Sequence, residues 1–270
     1  MKSAMTRIKG ILLALMYAAL YPVIELAIYR IYILWHYLGG KLNATEIGKL
    51  ANKNSFAISI AISAISILIY LVILRIRKKN LSEYIQIKKT PIMIFVMAAI
   101  VAIGTRFAVE VYCTLIQSLD IFKKSIIESA TVAPRLYTRM EFAISFFSVL
   151  VAAPLFEEFL FRALIMGELK KVVRPWIAIV IQAILFGFSH GAVFQIPYTI
   201  FIGLLLGIIY HRTKNIMVPI ICHSVYNFSA TLILGGAAMR SNVVFITVSV
   251  VLMSLSMFYI IANTQTERKI

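Results

Sequence analysis

The sequence predicts an all-α, polytopic bundle of about eight transmembrane helices. Of its 270 residues, 61% are hydrophobic and only 14% are charged, whereas a soluble domain carries about 25% charged residues. The charges also cluster between long apolar runs, and several of these runs reach the roughly 20 residues that a membrane span needs. We therefore expect the chain to cross a membrane several times, with the lipid bilayer as its first partner.

Eight apolar runs are predicted to be spans. They cover residues 11–35, 55–74, 92–116, 142–165, 176–190, 196–210, 216–234 and 243–262. The first run is too long for a cleaved signal peptide and is interpreted as an uncleaved span. The longest polar stretch, residues 117–141, is predicted to be a loop, and its helix-like alternation of apolar and charged residues favours an interfacial helix there.

The net charge of +16 indicates topology rather than a nucleic-acid partner. The predicted inner segments carry twice as many Lys and Arg residues as the outer ones, which places both termini in the cytoplasm. Basic and aromatic residues are not interleaved in a polar domain, so we expect no nucleic acid as a partner. The two cysteines, Cys113 and Cys222, lie in apolar surroundings and are interpreted as buried apolar side chains.

Ionisable side chains inside predicted spans mark candidate functional positions, because each costs about 3 kcal/mol at the bilayer centre. Glu25 and Arg30 lie in the first span, and Arg106 and Glu110 lie in the third. Arg106 and Glu110 are four residues apart, so they share a helix face and can pair. A structural ion pair, or a position near the interface, explains these four residues at least as well as a functional role does.

Two adjacent carboxylates, Glu157 and Glu158, lie in an apolar segment that ends at Arg162. Glu158 and Arg162 are four residues apart and are predicted to pair. Glu157 points about 100° away around the helix, so the two glutamates can serve different partners. A buried carboxylate without a salt bridge is the kind of group that acts as a general base. The alternative is that both glutamates only hold Arg162 and the neighbouring helices.

Three further polar residues lie near or inside the later spans. His190 ends the segment Phe-Gly-Phe-Ser-His and precedes Gly191, where we expect the helix to loosen. His223 and Asn227 are four residues apart and face the same way. Such an Asn can orient a His or donate to an oxyanion, although polar residues also join transmembrane helices. The estimated depths of Glu157 and both histidines overlap at 1.5 Å per residue, which predicts a shared buried cavity.

These residues resemble the motifs of the CPBP intramembrane proteases, also called the Abi or CAAX protease family. The family pattern is Glu-Glu-x-x-x-Arg, then Phe-x-x-x-His, then His-x-x-x-Asn or Asp on successive spans. The chain carries all three motifs in order, between residues 157 and 227. The resemblance implies an intramembrane endopeptidase, and the catalytic residues that it implies are Glu157, Glu158, His190, His223 and Asn227.

The resemblance also implies a role for each of these residues. Glu157 activates water, and Glu158 holds the site together with Arg162. The remaining three residues bind the catalytic centre or stabilise the oxyanion; they are His190, His223 and Asn227.

The cofactor stays open at this point. Members of the family are commonly called metalloproteases, and two histidines with a glutamate can make a three-ligand zinc site. The HExxH helix of many zinc proteases is absent from the sequence. A metal-free mechanism, with a glutamate base and His and Asn donors, is equally compatible and is our preferred expectation.

The motifs and the topology together predict the organisation and role of the chain. An N-terminal transmembrane region (1–140) precedes a CPBP-type catalytic transmembrane core (141–262) and a short cytoplasmic tail (263–270). We expect a multi-pass protein of a bacterial plasma membrane that cleaves a membrane-associated peptide or protein, in precursor processing, export or bacteriocin self-immunity. The alternatives are a non-catalytic immunity or scaffold protein and a proton-coupled transporter, although no paired inverted repeat supports a transporter.

Overall fold

The computed structural model describes residues 4–40, 42–116, 119, 122, 138–233 and 243–264. Within these residues β-pairing is limited to one isolated bridge, Ile87 with Asn215, so the predicted all-α fold is confirmed. The main helices are α1 (Ala4–Leu38), α2 (Ala44–Lys53), α3 (Ser55–Ile76), α4 (Ile92–Ile116), α5 (Arg139–Lys170), α6 (Pro175–Phe188), α7 (Ile196–Thr213), α8 (Met217–Ile233) and α9 (Val243–Asn263).

Six of the described helices are long and apolar enough to cross a bilayer, namely α1, α3, α4, α5, α7 and α9. The other two helices that coincide with predicted spans are shorter, with 14 residues in α6 and 17 in α8. The chain is therefore a multi-pass membrane protein, while the count of eight spans and the cytoplasmic termini stay predictions. The interfacial helix expected after residue 116 lies largely outside the described residues.

Helix α2 was not among the predicted elements. Its start is fixed by a capping box, in which the Glu46 amide donates to Asn43 Oδ1 at 3.0 Å and the Asn43 amide donates to Glu46 Oε2 at 2.8 Å. One face of the helix is buried through Ile47 and Ala51. A search for apolar runs of membrane-spanning length does not detect a ten-residue amphipathic helix.

The buried core runs continuously from α1 to α9. Aromatic rings from α1 and α3 pack on α5, with the rings of Tyr17 and Tyr70 5.7 Å apart and those of Tyr70 and Phe156 6.5 Å apart. On the other side α9 lies against α4, where a Cβ at Gly104 would be only 2.6 Å from the Ser249 carbonyl oxygen. Small residues permit such close approach between membrane helices. The predicted division at residue 140 stays a prediction, and the core crosses it without interruption.

Helix α5 is irregular in two places. The segments Ser148–Ala152 and Glu158–Ile165 are π-helical, and π turns are frequent at functional sites. In the first segment the Ala153 amide bonds to the Ser148 carbonyl, and Pro154 has no N–H to donate. Neither of these positions therefore supplies a backbone donor to the carbonyl of Val149.

At its C-terminal end, α5 carries a buried carboxylate, Glu168, surrounded by donors. Its Oε1 accepts hydrogen bonds from Arg77 Nη1 at 2.7 Å and from the Tyr84 hydroxyl at 2.6 Å, and its Oε2 accepts one from Lys171 Nζ at 3.0 Å. Burial raises the pKa of the Tyr84 phenol, which keeps the hydroxyl protonated as a donor. This group, called the Glu168 cluster below, ties the segment after α3 to the end of α5.

Candidate active site

The structure places the three predicted motifs on neighbouring elements. The two glutamates and the arginine come from α5, at and directly before its second π-helical segment. One histidine follows α6, and the other histidine lies with the asparagine on α8. In chain order these residues are Glu157, Glu158, Arg162, His190, His223 and Asn227.

The predicted pair of Glu158 and Arg162 is present and wholly buried. Arg162 Nη1 donates to Glu158 Oε1 at 2.9 Å, and both side chains have 0% exposure. The guanidinium carbon lies 4.4 Å from the centroid of the Phe186 ring, a cation–π contact, and Nη2 is 3.5 Å from the Gly203 carbonyl oxygen. A charge removed from water needs several such contacts, and here they attach α5 to α6 and α7.

His223 lies between the two glutamates. Its Nδ1 is 2.9 Å from Glu158 Oε1, and its Nε2 is 3.8 Å from Glu157 Oε2. A carboxylate can only accept a hydrogen bond, so the proton belongs on Nδ1 and Nε2 faces Glu157. Glu158 pairs with Arg162, as their spacing predicted. In addition, Glu157 and Glu158 reach the two nitrogens of one imidazole from neighbouring positions on the helix.

Glu157 differs from Glu158 in exposure and in bonding. The Glu157 side chain is 21% exposed, against 0% for Glu158. Within the described part of the chain, the buried Oε2 of Glu157 has no hydrogen-bond partner. Buried polar atoms are normally paired with protein or water, so an unpaired carboxylate oxygen in a partly open position indicates a place where a ligand or water binds.

His190 lies in the turn that follows α6, as expected from Gly191. That glycine has a φ of +72°, a conformation that favours glycine over other residues. His190 Nδ1 donates to the Phe186 carbonyl at 2.8 Å, so its Nε2 is the nitrogen left to meet a ligand. The ring centroids of His190 and His223 lie 4.7 Å and 5.9 Å from that of Phe186, which makes this phenylalanine a common support for both imidazoles.

Asn227 supplies the donor that α5 lacks. Its Nδ2 donates to the Val149 carbonyl at 2.9 Å, at the π-helical turn just before Pro154. The contact fixes α8 against α5 and so sets the position of His223 relative to both glutamates. The amide nitrogen carries a second N–H, which is the donor that a substrate oxygen can use.

The hydrogen bonds of the two histidines are typical of metal ligands, whereas the positions of the described side chains are not those of a metal site. Both histidines bond through Nδ1–H to a carbonyl or a carboxylate, as zinc-ligating histidines commonly do. Among the residues that the structure describes, however, no three His, Cys, Asp or Glu side chains come together as a metal-binding group. The side chains considered for zinc from the sequence are thus not gathered as a three-ligand group in the described residues, and the metal-free mechanism stays a prediction.

Among the other ionisable residues of the predicted spans, Arg106 and Glu110 form an ion pair of their own. Arg106 Nη2 donates to Glu110 Oε2 at 2.6 Å within α4, the pair that their spacing predicted. Sequence reasoning missed Tyr21 on α1, whose ring packs on that of Phe156, the residue before Glu157, with the ring centroids 4.9 Å apart. A tyrosine in an apolar helix carries no signal of its own, and only the packing of α1 against α5 reveals its neighbours.

Comparison with known proteins assigns the same region to a family. The Rce1-like family model, described as type II CAAX prenyl endopeptidase Rce1-like, matches residues 139–229, a segment that contains all three motifs. The matched segment is about a third of the chain, and the match confirms the resemblance to CAAX proteases that the motifs indicated.

Two bacterial relatives are similar over part of their length. The chain is 33% identical over 87 residues to the membrane-embedded CAAX protease MroQ of Staphylococcus aureus, covering 30% of this chain and 35% of that protein. It is 31% identical over 77 residues to the putative membrane peptidase YdiL of Bacillus subtilis, covering 28% of this chain and 32% of that protein. The matched region thus spans about a third of each relative. No solved structure shows a significant match to the chain.

Proposed function

We propose that this protein is an intramembrane endopeptidase that hydrolyses peptide bonds of membrane-associated peptides or proteins. The observation that carries the proposal is the facing pair of Glu157 Oε2 and His223 Nε2, 3.8 Å apart. The similarity of residues 139–229 to a family of CAAX prenyl endopeptidases supports the same reaction class.

The spacing of this pair suits the activation of one water molecule. A water oxygen about 2.8 Å from each atom bridges a gap of 3.8 Å. One hydrogen of that water then points to the Glu157 carboxylate and the other to the lone pair of His223 Nε2. A lone pair of the water oxygen is left to attack a substrate carbonyl.

Hydrolysis follows with a complete proton balance. Glu157 takes one proton from the water as the oxygen bonds to the carbonyl carbon, and the carbonyl π electrons move to the oxygen to form an oxyanion. The second N–H of Asn227 donates to this oxyanion, as donors in other acyl-transfer sites do. Glu157 then passes its proton to the leaving nitrogen, the C–N bond breaks, and a carboxylic acid and an amine are released.

Glu158 and Arg162 act as positioning residues in this mechanism. Glu158 accepts the Nδ1–H of His223, which holds the ring in the tautomer that leaves Nε2 facing the water. Arg162 balances the charge of Glu158. Glu157 is thereby left as the carboxylate that gains and loses a proton.

The proposed setting is a bacterial plasma membrane, since both relatives come from bacteria. Processing of a peptide precursor and bacteriocin self-immunity are the roles that we favour. A non-catalytic scaffold is the second candidate, because a protein that only binds its partner can keep the same buried pair of Glu158 and Arg162.

Cleavage assays separate these candidates. Purified full-length protein in detergent is incubated with a panel of fluorogenic peptides and co-expressed precursors, comparing wild type with Glu157→Gln, His223→Ala and the exposed control Glu83→Gln. We expect the first two variants to lose cleavage and the control to keep it. An in-cell phenotype that survives Glu157→Gln would instead establish the scaffold role.

A parallel assay with a chelator tests the metal question. Cleavage that is unchanged by the chelator agrees with activation of water by Glu157 and His223. Cleavage that is abolished by the chelator and restored by zinc would contradict the mechanism proposed here.

A further inference from the structure

A groove between α1 and α6 lies beside the candidate active site. Its volume is about 420 Å³, within the range of about 300–1,000 Å³ typical of ligand pockets. Most of its lining is apolar and includes Leu15, Phe161 and Phe188. Its charged side chain is that of Glu25.

Glu25 is an unusual residue for this position. It lies about 20 Å along α1 from Leu38, on an exposed surface whose neighbours are apolar. It has no ion pair or hydrogen bond with any residue in the described part of the chain. Ionisable residues in membrane segments are rare and commonly meet a partner of opposite charge or a substrate, so an unpaired carboxylate in a groove indicates a cationic ligand.

Three observations connect the groove to the candidate active site. The Tyr21 side chain lines the groove, and its ring packs on that of Phe156, which directly precedes Glu157. Phe161 also lines the groove, and its ring is 5.1 Å from the ring of Phe186, which supports both histidines. Ser189, at the same groove, directly precedes His190. A ligand in the groove is therefore within reach of the residues proposed to carry out hydrolysis.

We propose that this groove is a substrate-docking site, and that it takes an apolar peptide segment with one Lys or Arg side chain that pairs with Glu25. The proposal rests on the proposed peptidase function and names its substrate class. Charge complementarity favours this occupant, because a neutral acyl chain leaves Glu25 unpaired and an anionic headgroup is repelled by it.

The length of the groove limits where the basic residue lies. Leu15 and Glu25 are ten residues apart on α1, which corresponds to about 15 Å. An extended peptide of about five residues covers that distance. We therefore expect the docked segment to be about five residues long, with the basic side chain at the end that lies against Glu25.

A charge-swap experiment on the full-length protein in lipid nanodiscs tests the proposal. The probes are fluorogenic Leu/Ala peptides of about 20 residues with a single Lys, and matched peptides with Leu or Glu at the same position, scanned along the sequence. The variants are Glu25→Gln, Glu25→Lys and a control, Arg30→Gln, which removes an exposed charge from α1 outside the groove.

We expect wild type to prefer the Lys peptide to its Leu analogue by about tenfold in kcat/KM at one position. Glu25→Gln should bring that ratio close to one, Glu25→Lys should favour the Glu peptide, and Arg30→Gln should behave as wild type. A Lys-to-Leu ratio that is the same in wild type and Glu25→Gln would overturn the proposal.

A binding assay shows which of the two proposals is wrong if the cleavage experiment fails, the docking site in the groove or the peptidase function. A photoreactive phenylalanine replaces Leu15 in a Glu157→Gln background, and cross-linking to the same peptides is measured. Cross-linking that depends on both Lys and Glu25 supports the groove even if wild type cleaves none of the peptides. Cross-linking to lipid alone, beside normal cleavage by wild type, would reject the groove and leave the proposed function standing.

Discussion

Helix α5 carries carboxylates at two places, Glu157 with Glu158 and, about 15 Å further along the helix, Glu168. The two places differ in how completely the carboxylate oxygens are hydrogen-bonded. Glu168 uses both oxygens, accepting from Arg77 and Tyr84 on Oε1 and from Lys171 on Oε2. Glu157 and Glu158 each keep a buried Oε2 with no hydrogen-bond partner among the described residues. Glu158 and Glu168 lie on the same helix and are both buried, so burial alone does not explain the difference.

The contrast separates a structural role from a chemical one. A carboxylate whose oxygens are all bonded holds its neighbours and has no site left for a reactant. A buried carboxylate with an unbonded oxygen is less favourable in the resting protein, and the expected benefit is an interaction with water or substrate. Glu158 shares the unbonded oxygen but is wholly buried and paired with Arg162, whereas Glu157 is partly exposed. This interpretation assigns stability to the Glu168 cluster, positioning to Glu158 and chemistry to Glu157, and the following substitutions test it.

Glu157→Gln should have the largest effect and should act on catalysis alone. The amide keeps the shape of the side chain but cannot take a proton from water, so kcat should fall by about 10²–10⁴-fold. Stability in detergent, measured as the fraction still folded after heating, should match wild type. An activity within about threefold of wild type would remove Glu157 from the mechanism.

Arg162→Met should have the next largest effect, and it should act on folding. It leaves the fully buried Glu158 without its cation, and breaking a buried pair in this way costs about 3–5 kcal/mol. Reversible unfolding in mixed detergent measures this loss. The double variant Glu158→Gln/Arg162→Met should recover much of the stability, since neither charge is then left alone. A double variant as unstable as Arg162→Met would contradict the assignment.

Asn227→Leu should destabilise the fold by about 1–3 kcal/mol, because it leaves the Val149 carbonyl without its donor. Pro154→Ala provides a matched background, since alanine restores an N–H near that carbonyl. In this background the loss caused by Asn227→Leu should be clearly smaller in the same unfolding assay. Equal losses in both backgrounds would show that the Val149 contact is not what Asn227 contributes to stability.

Glu168→Gln should have the smallest effect, with the opposite pattern to Glu157→Gln. The amide still accepts from Tyr84, while its pairing with Arg77 and with the partly exposed Lys171 weakens, so we expect a loss of about 1 kcal/mol. Activity per folded molecule should stay at the wild-type level. A fall in kcat at full stability would mean that the Glu168 cluster takes part in the reaction.

Local features of the structure could be predicted from the sequence. Within the described residues, each predicted span lies on a helix and runs past its ends by at most about two residues, because long runs of apolar residues indicate helices in a membrane protein. The pairs Glu158–Arg162 and Arg106–Glu110 were predictable because a spacing of four residues places both side chains on one helix face. The structure brings the motif residues together on neighbouring elements, and their assignment to the catalytic site stays a prediction.

Features that depend on how helices meet could not be predicted. The position of His223 between Glu157 and Glu158 requires a particular rotation of α8 against α5, which no spacing within either helix fixes. The bond from Asn227 to Val149 depends on a π-helical turn and on a missing backbone donor. A prediction that assumes regular helices includes neither the π-helical turn nor the missing donor.

The local pairing of Glu158 with Arg162 also bears on how the protein is made. The chain is synthesised from its N-terminus, so α5 is available to the bilayer before α8, and His223 follows Glu158 by 65 residues. Arg162 already neutralises Glu158 when α5 inserts, which lowers the barrier to moving that carboxylate into lipid. The imidazole arrives only when α8 has inserted. Biogenesis thus separates insertion of the charged helix from completion of the reactive centre, and an unfinished chain ending before α8 should be membrane-embedded but inert.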